Sequence, residues 1–116
     1  MVLLVDDDED LLEVLGLLFK HAGIPNVAAR SLRGVQALGA QLAPVTTAIL
    51  DVNLGHGEPS GIDIARWLRA QNFTMRTVFI TGHAPNHPLV REVGDGEVLE
   101  KPVDPRTLIK IARGEQ

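Results

Sequence analysis

The sequence predicts one α/β domain over residues 1–116, with five β-α repeats building a doubly wound parallel sheet covered by helices on both faces. Two observations carry that prediction. Four short runs, Val2–Val5, Ala48–Leu50, Val78–Ile80 and Val98–Leu99, are apolar at every position instead of alternating, as strands buried on both faces must be. Stretches whose apolar residues recur at three and four separate them, the spacing of a helix with one face on a core. A weaker run, Val27–Ala29, supplies the missing strand between the first two.

Taken in order, Val2–Val5 is the first strand, and Leu11, Val14, Leu15, Leu18 and Phe19 make Asp10–His21 an amphipathic helix. Gly23 and Pro25 end it. After the second strand, Ser31 can cap a helix carrying Leu32, Val35, Leu38 and Leu42, although Gly34 and Gly39 weaken it. Ala48–Leu50 follows, then Ser60 and Asp63 at capping-box spacing ahead of Ile64, Ala65, Trp67 and Leu68. Trp67 is expected to pack with one edge exposed. Beyond Val78–Ile80, Pro85 and Pro88 leave Pro85–Val93 room for only a turn or two, so the fourth helix is expected to be short or disordered. After Val98–Leu99, Asp104 and Pro105 suit the N-cap and first position of a last helix running through Arg113.

Composition narrows the function. With 45% hydrophobic and 22% charged residues the chain can bury a core, which places it among globular rather than disordered proteins. No apolar run reaches membrane-spanning length and no signal-peptide pattern opens the chain, so a soluble cytoplasmic protein is expected. There are no cysteines, which excludes disulfides, thiol catalysis and thiolate metal sites. A net charge of -4 and the lack of a basic helix argue against nucleic-acid binding by this domain alone.

In a doubly wound sheet the ligand crevice lies at the carboxyl ends of the strands. Asp6 and Asp7 follow the first strand, Asp51 ends the third, Thr81 ends the fourth and Lys101 follows the fifth. Two carboxylates about 4 Å apart repel by about 4 kcal/mol at an effective dielectric near 20, so such a cluster calls for a cation. Hard oxygen ligands suit Mg²⁺. A divalent cation, an ammonium and a hydroxyl around a carboxylate are equipped to receive a phosphoryl group, with Asp51 as the nucleophile that becomes an aspartyl phosphate. Asp8, Glu9 and Asp10 are read only as a solvated helix start favoured by the helix dipole.

"VLLVDDDEDL", "AILDVNLG", "VFITGH" and "VLEKPVDPRTL" resemble, in order and across nearly the whole chain, the motifs of response-regulator receiver domains. The resemblance implies a flavodoxin-like fold with strand order 2-1-3-4-5. It implies that Asp51 takes its phosphoryl group from a phosphohistidine on a sensor histidine kinase or histidine phosphotransfer protein. Asp6, Asp7, Asp51 and the backbone carbonyl of Asn53 would hold Mg²⁺, while Thr81 and Lys101 would sense the phosphate. It also implies a cis peptide at Lys101–Pro102, a downstream protein partner reading the switched surface, and homodimerisation as an option. Such a protein is not an enzyme in the ordinary sense, because it catalyses only its own phosphorylation and dephosphorylation. It exists either alone or as part of a longer regulator.

Several positions depart from the family pattern. Gly55 stands where a proline is usual, and "GHGEPSG" is a longer loop beside the site. Val98 replaces the Tyr or Phe that turns inward on phosphorylation, so the ordinary threonine–aromatic coupling cannot operate. "TGH" is similar to a mostly stand-alone subgroup with Thr-Gly and an aromatic after the fourth strand, which makes His83 a candidate for the switch alongside Val98. The side chain of Asn53 is a candidate for tuning dephosphorylation. His21, His56 and His87 lack ligand spacing and are read as surface residues.

Three alternatives stay open on sequence. A haloacid-dehalogenase-like phosphohydrolase also uses strand-end aspartates, but Asn53 stands where its second acid belongs and there is no cap domain. A flavodoxin-like cofactor protein needs a hydroxyl-rich phosphate loop where this chain has acids. A degenerate receiver would serve only as a binding module, against which all five core groups are present.

Overall fold

The computed structural model describes residues 1–84, 87–94 and 96–114. Its elements are β1 (Val2–Val5), α1 (Glu9–His21), β2 (Asn26–Ala29), α2 (Leu32–Leu38), β3 (Thr47–Asp51), α3 (Gly61–Ala70), β4 (Arg76–Thr81), α4 (Pro88–Val93), β5 (Glu97–Glu100) and α5 (Pro105–Ala112). All strand pairs are parallel, in the order β2-β1-β3-β4-β5. This is the expected flavodoxin-like arrangement.

Unbroken apolar strands feed two cores at once, because successive side chains point to opposite faces. Leu3, Val5, Ala48 and Leu50 meet Val35 of α2 and Ile64 and Leu68 of α3 on one side. Val2, Leu4 and Ile49 meet Leu12, Leu15 and Phe19 of α1 and Leu108 of α5 on the other. Trp67 is half-buried against the first core, as expected.

Local chemistry sets the helix ends. Asp8 caps α1 by accepting from the Leu11 N–H at 3.1 Å, and Glu9 and Asp10 are exposed in its first turn. The capping box of α3 is complete: the Asp63 N–H donates to Ser60 Oγ at 3.2 Å and the Ser60 N–H to Asp63 Oδ2 at 2.8 Å. Asp104 caps α5 through the Arg106 N–H at 2.9 Å.

The second helix is shorter than its apolar spacing suggests. It stops at Leu38, and Leu42 belongs to a separate 3₁₀ turn, Gly39–Leu42. Gly39 has φ +52, which breaks the α-helix while Leu42 still reaches the core at 1% exposure. The fourth helix is short, as the prolines require, and none of its residues is fully buried. Pro85, at the start of the segment expected to be stunted, lies outside the described residues. The Lys101–Pro102 peptide is cis.

Gly61 fixes α3 against the end of β3. Its N–H donates to the Val52 carbonyl at 3.0 Å, and a Cβ there would collide with the Asp51 carbonyl oxygen and lie 3.3 Å from Leu50 Cβ. Only glycine lets the two backbones come this close. Among the described residues no helix is long and apolar enough to cross a membrane.

Candidate functional site

Parallel register collects the chemistry at one rim. Val5 lies opposite Leu50, Asp51 opposite Ile80 and Thr81 opposite Glu100. The residues at or just past those positions are therefore Asp6, Asp51, Thr81 and Lys101, from four adjacent strands. Asp6, Asp51 and Thr81 are buried at 6%, 3% and 1% exposure, while Asp7 is exposed. Burial distinguishes this cluster from an ordinary acidic surface.

Each group is held. Asp6 Oδ1 accepts from the Asp8 N–H at 2.9 Å and Asp51 Oδ1 from the Asn53 N–H at 3.3 Å. Lys101 Nζ donates to Asp51 Oδ2 at 3.1 Å and lies 3.7 Å from Asp6 Oδ2. The Lys101 N–H donates to the Thr81 carbonyl at 2.8 Å, tying the lysine to the end of β4. Thr81 Oγ1 accepts from the His83 N–H at 2.9 Å.

The charge is not balanced by the protein alone. Burial, then the neighbouring Asp6 charge, pushes the Asp51 carboxyl up from 3.8 to about 6. Burial also raises Asp6, against the opposing pull of the Asp8 N–H and Lys101. Burial would lower the Lys101 ammonium, but its hydrogen bond to Asp51 and the surrounding carboxylates hold it above its usual value. One lysine thus faces three acids. Asp6, Asp7 and Asp51 can each bring a carboxylate oxygen within 4.8 Å of the others. This small, hard, all-oxygen donor set fits Mg²⁺, which takes few protein carboxylates and keeps several waters.

A cavity of about 440 Å³ opens over the acids, lined by Asp7, Asp51, Asn53, His56, His83 and Lys101 among others. The Asn53 side chain accepts from the Gly55 N–H at 3.1 Å, folding the start of the longer loop toward the site. Val98 is not part of this rim. It is half-buried on β5, opposite Phe79, and packs on the core beneath α3.

Two histidines read from sequence as surface residues have definite places. His56 lines the cavity from the loop after β3. His87 is half-buried and caps α4, its Nδ1 accepting from the Leu89 N–H at 3.2 Å. Its ring stacks on that of His83 with centroids 3.8 Å apart and planes at 13°. A cap immediately before Pro88 was a usable sequence signal, since proline favours the first helical position. The stack had no such signal, because ring contacts between loop residues follow no period.

The family model described as "Response regulator receiver domain" matches residues 2–113. The putative response regulator NtrX-like protein of Rickettsia bellii (strain RML369-C) is 31% identical over 97% of this chain. That alignment covers 24% of the relative, so the chain spans about a quarter of its length. Among solved structures, the Vibrio cholerae chemotaxis protein CheY4 is 26% identical, with TM-score 0.78 over 99% of this chain and 97% of that one. The receiver domain of NtrX from Brucella abortus is 22% identical, with TM-score 0.79 over 98% and 96%; at that identity the likeness speaks for the fold.

Proposed function

This chain belongs to the response regulator receiver domain family, and from that premise we propose that it accepts a phosphoryl group from a phosphohistidine onto Asp51 in a Mg²⁺-dependent step. The observation that carries the reading is the position of Asp51. It is a buried strand-end carboxylate 3.1 Å from the Lys101 ammonium, with Asp6 and Asp7 within cation-sharing distance. The haloacid-dehalogenase-like alternative gives way to the family membership.

Mg²⁺, held by Asp6, Asp7, Asp51 and the backbone carbonyl of Asn53, would supply positive charge to the phosphoryl oxygens and keep Asp51 ionised. Asp51 attacks phosphorus in line; the new O–P bond forms as the N–P bond to the donor histidine breaks. Lys101 balances charge on the transferring group, and the Thr81 hydroxyl donates to one of its oxygens. The adduct adds about -1.5 to -2 of charge at a buried point. Thr81 and Lys101 are drawn toward it, and because they end β4 and follow β5, the segment into α4 and the surface around β5 shift with them.

The donor in this reading is a sensor histidine kinase or a histidine phosphotransfer protein in the cytoplasm, and the altered surface is read by a downstream protein or by a second copy. Residues 1–116 act as one receiver domain, and the chain works on no substrate but itself. The test is intact-protein mass after incubation with a small acyl-phosphate donor, with and without Mg²⁺. One phosphoryl adduct that needs Mg²⁺ and is lost in Asp51→Asn is the expected result. No adduct in the wild type, from either a small donor or a phosphohistidine protein, would instead make this a degenerate receiver.

A further inference from the structure

An unbroken series of contacts leads from the phosphate-sensing hydroxyl to α4. The His83 N–H donates to Thr81 Oγ1, the His83 ring stacks on His87, and His87 Nδ1 accepts from the Leu89 N–H in the first turn of α4. His83 is thereby pinned at its backbone by Thr81 and in its ring plane by His87. It also lines the cavity above Asp51, yet its Nε2 is buried with no hydrogen-bond partner among the described residues. A buried imidazole nitrogen loses its hydration, and native structures leave few such groups unsatisfied without a reason.

We propose that His83 is a phosphoryl-binding residue, whose Nε2–H donates to an oxygen of the group on Asp51, and that the His83–His87 stack makes α4 follow that contact. The proposal rests on Asp51 being the phosphoryl acceptor. A phosphoryl group offers oxygens that only accept, and a neutral imidazole can present its N–H at Nε2, so donor and acceptor match. Thr81 does not have to release His83 to bind phosphate. A hydroxyl has one donor and two acceptor sites, so it can donate to the phosphoryl oxygen while still accepting from the His83 N–H. Both residues then close on the same group together.

His56 lines the same cavity but is not equivalent. It is exposed on a loop where Gly55 and Gly57 have φ +112 and +79, and among the described residues no hydrogen bond, ion pair or ring contact fixes its ring. The far end of the series is suited to move. No residue of α4 is fully buried, and Leu89 and Val93 are only half-buried against the core. Where Val98 replaces the usual inward-turning aromatic, this pair of rings offers another path from phosphate to surface.

The experiment uses beryllofluoride, a phosphoryl mimic, at saturating Mg²⁺, with the imidazole nitrogens and backbone amides followed by NMR. Binding to wild type and its loss in Asp51→Asn are recorded first. If wild type does not bind, the acceptor reading fails and takes this inference with it. Given binding, the His83 Nε2 resonance is expected to shift. His83→Leu should weaken beryllofluoride by about fivefold, the worth of one ordinary hydrogen bond, whereas His83→Gln, which keeps an N–H at similar reach, stays within about twofold of wild type. His87→Ala should bind normally but lose the amide shifts of Leu89 to Val93. Binding with an unmoved His83 Nε2, or unchanged affinity in His83→Leu, overturns the phosphoryl contact and leaves the acceptor reading standing. Undiminished α4 shifts in His87→Ala overturn the stack as the connection.

Discussion

β1 and β3 are buried at every residue, whereas β5 is fully buried at none. The helices repeat the contrast: α3 buries Gly61, Ile62, Ile64 and Leu68 behind a complete capping box, and α4 buries nothing. The site straddles this division. Its acids come from the firm strands, while Lys101 follows the loose one and His83 leads toward α4. In the proposed mechanism, charge added at Asp51 acts on groups that differ in how freely they can respond, and the compliant edge is the one expected to move. A uniformly packed domain would hold the same charges without a directed response.

The contrast predicts unequal responses to truncation. Ile49→Ala, at 2% exposure on β3, should cost about 3 kcal/mol, and Leu89→Ala on α4 under about 1, both read by urea denaturation. Similar costs would mean the two regions are equally firm.

Next in size is Asp51→Asn in metal-free protein. The Asp51 carboxyl rises from 3.8 to about 6 on folding, so the folded state holds a proton that the unfolded state has lost between those values. The wild type consequently loses stability relative to the variant as pH rises from about 4 to about 6. The gap levels off near 3 kcal/mol, to order of magnitude, above that window. Chemical denaturation of both proteins at several pH values checks it; a gap independent of pH would place the strain elsewhere.

Smaller again, Asp7→Ala should weaken Mg²⁺ by about tenfold in a calorimetric titration, since one of three converging carboxylates is gone. Last, Ser60→Ala should cost about 1 kcal/mol in urea denaturation by opening the capping box on the firm side.

Burial explains which parts of this were legible in the sequence. β1, β3 and β4 are plain because each carries a fully buried apolar run (Val2–Val5, Ala48–Leu50, Val78–Ile80), and the acids and threonine at their ends outline the site. α1 is legible through the apolar spacing of Leu11, Val14, Leu15, Leu18 and Phe19, and α3 and α5 through Ser60 with Asp63 and through Asp104; the Asp8 cap of α1 is seen only in the structure. The edges were harder. β2 and β5 begin at Asn26 and Glu97, polar residues that an apolar run does not include. The apolar spacing of α2 runs on past its end, because Leu42 keeps that spacing across a break made by Gly39. His56 is exposed as its sequence context predicts, whereas the half-burial of His87 and its stack on His83 arise from loops meeting in space, which no spacing along the chain records.

The contact between Gly61 and the Asp51 backbone has a consequence for engineering. With the Gly61 N–H bonded to the Val52 carbonyl, Leu54 buried in the core and Ser60 capping α3, the stretch from Gly55 to Pro59 leaves and rejoins the scaffold within a short span. It is a cassette: its length and sequence can be exchanged while Asp51 stays in place. Libraries that vary it under selection for one phosphodonor over another should yield altered preferences without loss of the fold, provided Gly61 itself is held constant.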